Sequence, residues 1–459
     1  MPAEMLRFPS DFLWGTATAA HQVEGQLNND WSEWEKVPGN IKDGTSANRS
    51  CEWWSGRYGQ DFDLAKAMHQ NTLRLSIEWS RIEPTEGSWD GEAITRYRRM
   101  LTALRERGIE PMVTLFHFTS PRWLVEQGGW ENERAVRHFE RFAAKAAEAF
   151  GDLVGLWCTI NEPNVYAAYS YLLGLWPPQQ QNLLTALRVL RHQMMAHLFA
   201  YQAIHERQPD ARVGLACFLR VFDPFRPHFL LDRWAARLQD RLFNDLVLEP
   251  PAKGILPFPL GLNTTLPGGA DAQDYIGLNY YSRDMVSFDI SQPGLLFTRR
   301  FAKPGADLSM EGWGEIYPEG LYRWLKRLKQ YGKPIYITET GVPDNNDTLR
   351  PVFILSHLAA AHRALREGIP VKGLYFWTLV DNFEWAEGFG ARFGLVHLDL
   401  GSGRRTLKRS GELYAELARA GGISREVVER YAPELTHQLF PPRVPEEMTP
   451  QQSEQRPSG

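Results

Sequence analysis

Leu153–Ile160 reads LVGLWCTI, eight residues without polar alternation, and Asn161-Glu162-Pro163 follows at once. A run that is apolar at both parities suits a strand covered on both faces, as in a parallel sheet packed under helices. Working outward, seven further runs share this character: Phe12–Ala17, Thr72–Ile77, Pro111–His117, Arg212–Leu219, Tyr275–Tyr281, Pro334–Thr338 and Val371–Leu379. Helical patterns lie between them. Glu133–Phe150 sets Val136, Phe139, Phe142, Ala143, Ala146 and Phe150 on one stripe, with Gly151 at the C-cap position. Leu183–Glu206 and Arg350–Glu367 are amphipathic too, and Leu321–Tyr331 is a shorter example. Strand–helix alternation repeated eight times predicts an α/β fold, a single-domain (β/α)8 TIM barrel over residues 1–440 with elaborated βα loops. From Pro441 the chain is rich in Pro, Gln, Glu and Ser, and 441–459 is expected to be a disordered tail.

The bulk composition excludes several classes. A net charge of −4, with both signs interspersed, offers no basic stripe for a nucleic acid. Three cysteines, Cys51, Cys158 and Cys217, are too few for a disulfide framework or a zinc site, and the last two read as buried small hydrophobes. No run of about 18 apolar residues exists to span a membrane. The first residues, MPAEMLRFPSDFLWG, lack the basic flank and long apolar stretch of a signal peptide, so the expected location is cytoplasmic. His21, His69, His117 and His138 show no ligand spacing, and no glycine-rich loop follows the first run, so neither metal nor cofactor is expected. Most of the 16 tryptophans read as core; the flat faces of the rest suit a sugar ring.

In a barrel of this kind the chemistry sits where strands end. His117 ends the third run, Asn161 and Glu162 follow the fourth, Asn279 and Tyr281 close the sixth, Glu339 follows the seventh, and Asp381, Asn382 and Glu384 follow the eighth. Two glutamates across a barrel mouth suit glycosidic cleavage, which uses one carboxyl as proton donor and another at the anomeric carbon. Surface loop acids are the commoner fate of glutamate, and placement alone leaves both readings open.

The motifs decide between them. FLWGTATAAHQVEG (Phe12–Gly25), TINEP (Thr159–Pro163), GLNYY (Gly277–Tyr281), ITETG (Ile337–Gly341) and YFWTLVDNFEWAEGFGARFGL (Tyr375–Leu395) together resemble the family 1 glycoside hydrolases, the β-glucosidase/β-galactosidase family. The match runs in order from about Arg7 to Leu417. The resemblance implies a retaining β-glycosidase acting on terminal β-D-glucosyl residues of small glycosides or short oligosaccharides, with galactosyl or fucosyl units as further glycones. It implies Glu162 as acid/base and Glu339 as nucleophile, with Arg74 and Tyr281 lowering the nucleophile's pKa and the two carboxyls about 5 Å apart. Gln22, His117, Asn161, Asn279, Glu384 and Trp385 would bind hydroxyls, and Trp377 would be the stacking floor. A carboxylate at Glu384 would repel a phosphate, which predicts an unphosphorylated sugar.

Departures from the pattern fall at Thr340, where the family usually has Asn, at Phe118-Thr119 in place of Trp-Asp, and at Phe389 in place of Tyr. The loops after Tyr171 and between Tyr281 and Gly312 read as compact, leaving the outer subsites open. A transglycosylase shares these glutamates. A silent sugar-binding barrel would have lost one of them, and an aldolase or metal hydrolase would want a strand-end Lys or a His pair.

Overall fold

The computed structural model describes residues 4–310 and 312–441, so the tail beyond Pro441 lies outside the described residues. Eight parallel strands close into a barrel: β1 (Leu13–Ala17), β2 (Thr72–Ser76), β3 (Glu110–Phe116), β4 (Leu156–Asn161), β5 (Arg212–Phe218), β6 (Tyr275–Asn279), β7 (Ile335–Thr340) and β8 (Val371–Trp377). Each pairs with its neighbour in sequence, and β8 returns to β1 through Gly373 opposite Leu13. Every residue of β2, β4, β6 and β7 is buried, as expected for strands with helices outside and side chains within.

A helix follows each strand: α1 (Tyr58–Ala67), α2 (Gly91–Glu106), α3 (Arg134–Phe150), α4 (Leu183–His205), α5 (Leu230–Asp240), α6 (Pro318–Leu328), α7 (Arg350–Arg366) and α8 (Arg409–Ala420). The expected α3 stripe is buried throughout, and Phe142 stacks on Trp79 at 5.0 Å. Gly151 is the C-cap of α3 but in right-handed conformation, so its lack of a side chain serves no left-handed turn there. The helix read as Leu321–Tyr331 begins earlier, with Pro318 at its first position, where a missing N–H leaves no helical bond unmade; its last turn tightens to a 3-10 form at Lys329–Tyr331. Asp90 and Asn182 cap α2 and α4 by accepting from Ala93 N (3.0 Å) and Thr185 N (3.0 Å).

Inside the barrel, Tyr275, Tyr336 and Tyr375 pack with Met112 and Leu156 below the mouth. Rings this large need room opposite. A Cβ on Gly214 would lie 2.7 Å from the Tyr275 ring, so only glycine fits that rung. The Tyr275 hydroxyl donates to Trp157 O at 2.9 Å, and the Tyr375 hydroxyl meets Thr72 Oγ1 at 2.9 Å, so these buried phenols are satisfied. The loop after Tyr281 is no plain compact connection: Arg283–Phe288 and Thr298–Phe301 join Val221–Pro224 in a small three-stranded sheet beside the barrel.

Candidate active site

Strand ends deliver the site, and two irregularities aim it. Pairing shifts register between Cys158 and Asn161 of β4 and between Ile337 and Thr340 of β7. Strict alternation would send Thr338 and Glu339 to opposite faces. With the shift, Thr338 Oγ1 donates to Asn279 Oδ1 at 2.7 Å while the Glu339 carboxyl reaches Arg74 and Tyr281. Glu339 thus lies within β7, which runs to Thr340, two residues past the end expected from sequence, and Asn161 likewise ends β4 instead of following it. Glu162 is the next residue, with φ of 46°, and its left-handed backbone turns the chain from β4 into the short helix Pro163–Ala167. A non-glycine residue held there costs about 1 kcal/mol or more.

The two carboxyls have different supports. Asn279 Nδ2 donates to Glu162 Oε1 at 2.7 Å. Glu339 has a cation: Arg74 Nη1 pairs with its Oε1 at 2.5 Å, and the Tyr281 hydroxyl donates to Oε2 at 2.8 Å. Arg74 is fully buried and otherwise anchored, its Nε donating to Thr114 Oγ1 (3.0 Å) and its Nη2 to Asn161 Oδ1 (2.7 Å). Burial, then the Glu339 charge, hold the Glu162 carboxyl well above the usual carboxylate range. For Glu339 the expected lowering does not hold in net. Burial raises it, and Arg74, Tyr281 and Asn279 pull back only part of that rise. Of the two, Glu162 keeps its proton more tightly, and Glu339 is the one that bears a cation.

Around this pair the expected sugar-binding residues gather. Asn161 Nδ2 donates to His117 Nε2 at 3.1 Å, so the proton of the neutral ring sits on Nδ1. Burial and the nearby Arg74 hold His117 well below its ordinary pKa. Its Nδ1 is buried with no partner, as is Gln22 Oε1. Buried polar atoms in native proteins are ordinarily bonded, so two open ones in one cleft point to a polyhydroxylated ligand. Gln22 Nε2 donates to Phe383 O (2.7 Å) and Glu384 Oε2 (3.3 Å), and Trp377 Nε1 donates to the same carboxylate oxygen at 3.2 Å. Trp377 faces the His117 ring at 5.9 Å, and Trp385 lies parallel to His21 at 5.6 Å and nearly parallel to His117 at 5.9 Å.

Sequence reading missed the second row. Thr338 and Thr114, which fix Asn279 and Arg74, are polar residues in otherwise apolar strands, and that oddity was the available signal. Phe118 supplies packing where the family usually has an indole: it meets Trp385 edge-on at 5.1 Å and Trp176 at 5.0 Å. Thr340, which stands where the family usually has Asn, has a buried hydroxyl with no partner within the protein. Trp313, between Gly312 and Gly314, stands edge-on to Phe393 at 5.0 Å in the cluster that includes Tyr281 and Trp377. Among the described residues no group of three or more His, Cys, Asp or Glu is placed to hold a metal ion.

Burial pushes Glu384 up to about 8, with Glu339 adding to the rise while the Trp377 and Gln22 hydrogen bonds oppose it. In the unfolded chain the same group ionises in the ordinary carboxylate range. The folded chain therefore holds an extra proton in between, and its stability is full below that range and lost as pH rises to about 8. Glu384→Gln keeps an acceptor for Trp377 and Gln22 but cannot ionise. Thermal melts are expected to coincide with wild type at about pH 5 and to show the variant more stable by roughly 2–4 kcal/mol at about pH 8. A parallel offset at both pH values would contradict the assignment.

Comparison with known proteins gives the same picture. The family model described as glycosyl hydrolase family 1 matches residues 5–423. Beta-glucosidase A of Acetivibrio thermocellus is 33% identical over 91% of this chain and 99% of its own length. The 6-phospho-beta-glucosidase GmuD of Bacillus subtilis is 32% identical over 92% and 99%. The solved beta-glycosidase from Pyrococcus horikoshii superposes with a TM-score of 0.84 at 36% identity, over 93% of this chain and 98% of that one.

Proposed function

The chain belongs to glycosyl hydrolase family 1, and from that premise we propose that it is a retaining β-glycosidase removing terminal non-reducing β-D-glucosyl residues, with Glu162 as acid/base and Glu339 as nucleophile. One observation carries the assignment of roles: Glu162 accepts from the neutral amide of Asn279, whereas the Arg74 cation and the Tyr281 hydroxyl bind Glu339. In the first step Glu339 attacks the anomeric carbon as the bond to the leaving oxygen breaks, and Glu162 delivers its proton to that oxygen. The resulting ester removes the Glu339 charge, the second cause of the raised Glu162 pKa. Glu162, now a carboxylate of lower pKa, takes a proton from water; the water oxygen bonds the anomeric carbon and Glu339 departs as the anion. Two displacements restore the β configuration.

Gln22, His117, Asn161, Asn279, Glu384 and Trp385 bind the glycone, and Trp377 stacks on it. Relatives of similar identity differ on phosphorylation, so the site must decide. The acidic Glu339 and Glu387 bear on Glu384 and disfavour a phosphate there, and the cations beside them, Arg74 and Lys42, are already paired with these two acids. The substrate is therefore an unphosphorylated β-glucoside, with β-galactosides and β-fucosides as secondary substrates. Three unpaired, buried cysteines support a cytoplasmic location, where thiols stay reduced. Among the described residues no helix is long and apolar enough to cross a membrane.

Initial rates on a panel of aryl glycosides test this reading. We expect turnover of the β-glucoside, β-galactoside and β-fucoside, and none of the α-glucoside or 6-phospho-β-glucoside. Glu384→Ser should lower kcat/KM on the unphosphorylated substrates by roughly 10–100-fold, the loss of the hydrogen bonds this carboxyl makes to the glycone. Preference for the 6-phospho substrate, or an unchanged Glu384→Ser variant, would overturn the specificity assignment.

A further inference from the structure

On the outside of the barrel, remote in function from the carboxyl pair, α5 and α6 splay apart over the strand segment Val221–Pro224. They leave a cavity of about 350 Å³ between them. That is within the size of small-molecule sites, about 300–1,000 Å³. Its polar lining is almost wholly cationic: Arg233 and Arg237 from α5, Arg323 and Arg327 from α6, against the single acid Asp240. This concentration occurs in a chain whose net charge is −4.

The four arginines divide into two kinds. Arg323 is clamped by Asp223 through two bonds of 2.8 Å, and Arg327 is held by Asp240 (2.8 and 3.0 Å) and by Asp245 (2.5 Å). These two are fixed in place, and their acids are consumed. Arg233 and Arg237 lie one helical turn apart, and neither side chain has an ion pair or hydrogen bond among the described residues. Like charges at this spacing repel, so the native chain keeps two uncompensated guanidinium groups facing one hollow. Trp324 forms part of the wall. It is 3% exposed, and its indole N–H is buried without a partner. The site thus presents donors from four arginine side chains against one carboxylate, Asp240, which Arg327 engages. Its remaining walls, Val221, Phe222, Pro224 and Ala236, are apolar.

We propose that this cavity is a binding site for a small polyphosphate-type anion, held by Arg233 and Arg237 with Arg323 and Arg327 as supporting donors. Guanidinium forks match phosphate oxygens two at a time, which favours a ligand with several such oxygens over chloride. No residue of the site belongs to the catalytic set, so the test separates from the glycosidase reading.

The experiment is calorimetric titration of the full chain with inorganic pyrophosphate at constant ionic strength, for wild type and for Arg233→Ala/Arg237→Ala. Both substitutions fall on exposed positions of α5 and should leave folding and turnover of an aryl β-glucoside unchanged. One saturable site is expected in wild type, with affinity at least about 10-fold weaker in the double variant. Arg233→Lys/Arg237→Lys should bind with intermediate affinity, because charge is kept and the fork is lost. Absence of saturable binding in wild type, or equal affinity in the alanine variant, would overturn the proposal.

Discussion

Glu339→Ala is expected to lower hydrolysis of aryl β-glucosides by roughly 10⁵-fold, the scale on which loss of a nucleophile acts. The same variant should regain turnover in azide, with α-glycosyl azide as product. The space left by the carboxylate faces the anomeric carbon from the side opposite the leaving group, and Arg74 with Tyr281 remain to attract a small anion there. The substitution also leaves Arg74 buried without its partner, an effect of about 3–5 kcal/mol on stability. Low activity alone is therefore ambiguous. Azide rescue is not, because an unfolded chain cannot be rescued. A β-configured azide product would reverse the roles assigned to the two glutamates.

The second large effect concerns Glu162→Gln. The glutamine carbonyl still accepts from Asn279, so the site's geometry survives while its proton does not. Glycosides with poor leaving groups should slow by roughly 10²–10⁴-fold, the usual worth of general acid catalysis. Substrates such as dinitrophenyl glucosides, whose leaving oxygen needs no proton, should form the glycosyl-enzyme at nearly wild-type rate and then accumulate it as a burst. The falling limb of kcat/KM at high pH, which reports loss of the Glu162 proton, should vanish with good leaving groups. Equal slowing across the leaving-group series would count against the acid role.

Much of this was legible in the chain itself because the physics involved is local. Strands buried on both faces need apolar residues at both parities, so each of the eight barrel strands announces itself, and α3, α4 and α7 match their expected spans to within a residue at either end. Catalytic side chains at a barrel mouth must follow strands, so Glu162, Asn279 and Tyr281 stood out by position before any motif was considered.

What the sequence does not encode locally is aim and environment. Residues 338 and 339 are neighbours, and alternation alone would separate them; the register shift in β7, set by pairing with β6 and β8, brings Thr338 to Asn279 and Glu339 to Arg74 and Tyr281. The pKa order of the two glutamates is likewise tertiary. Adjacency to Arg74 suggested a lowered Glu339, but desolvation acts on every buried carboxyl, and its size depends on what the rest of the barrel excludes. The arginine-lined cavity was invisible for the same reason. Arg233 and Arg237 lie on one face of α5, yet Arg323 and Arg327 come from a helix about 90 residues away. Motif and period fix which residues are present at strand ends and helix faces. Only closure of the barrel decides which of them share a low-dielectric space, and that sharing sets their chemistry.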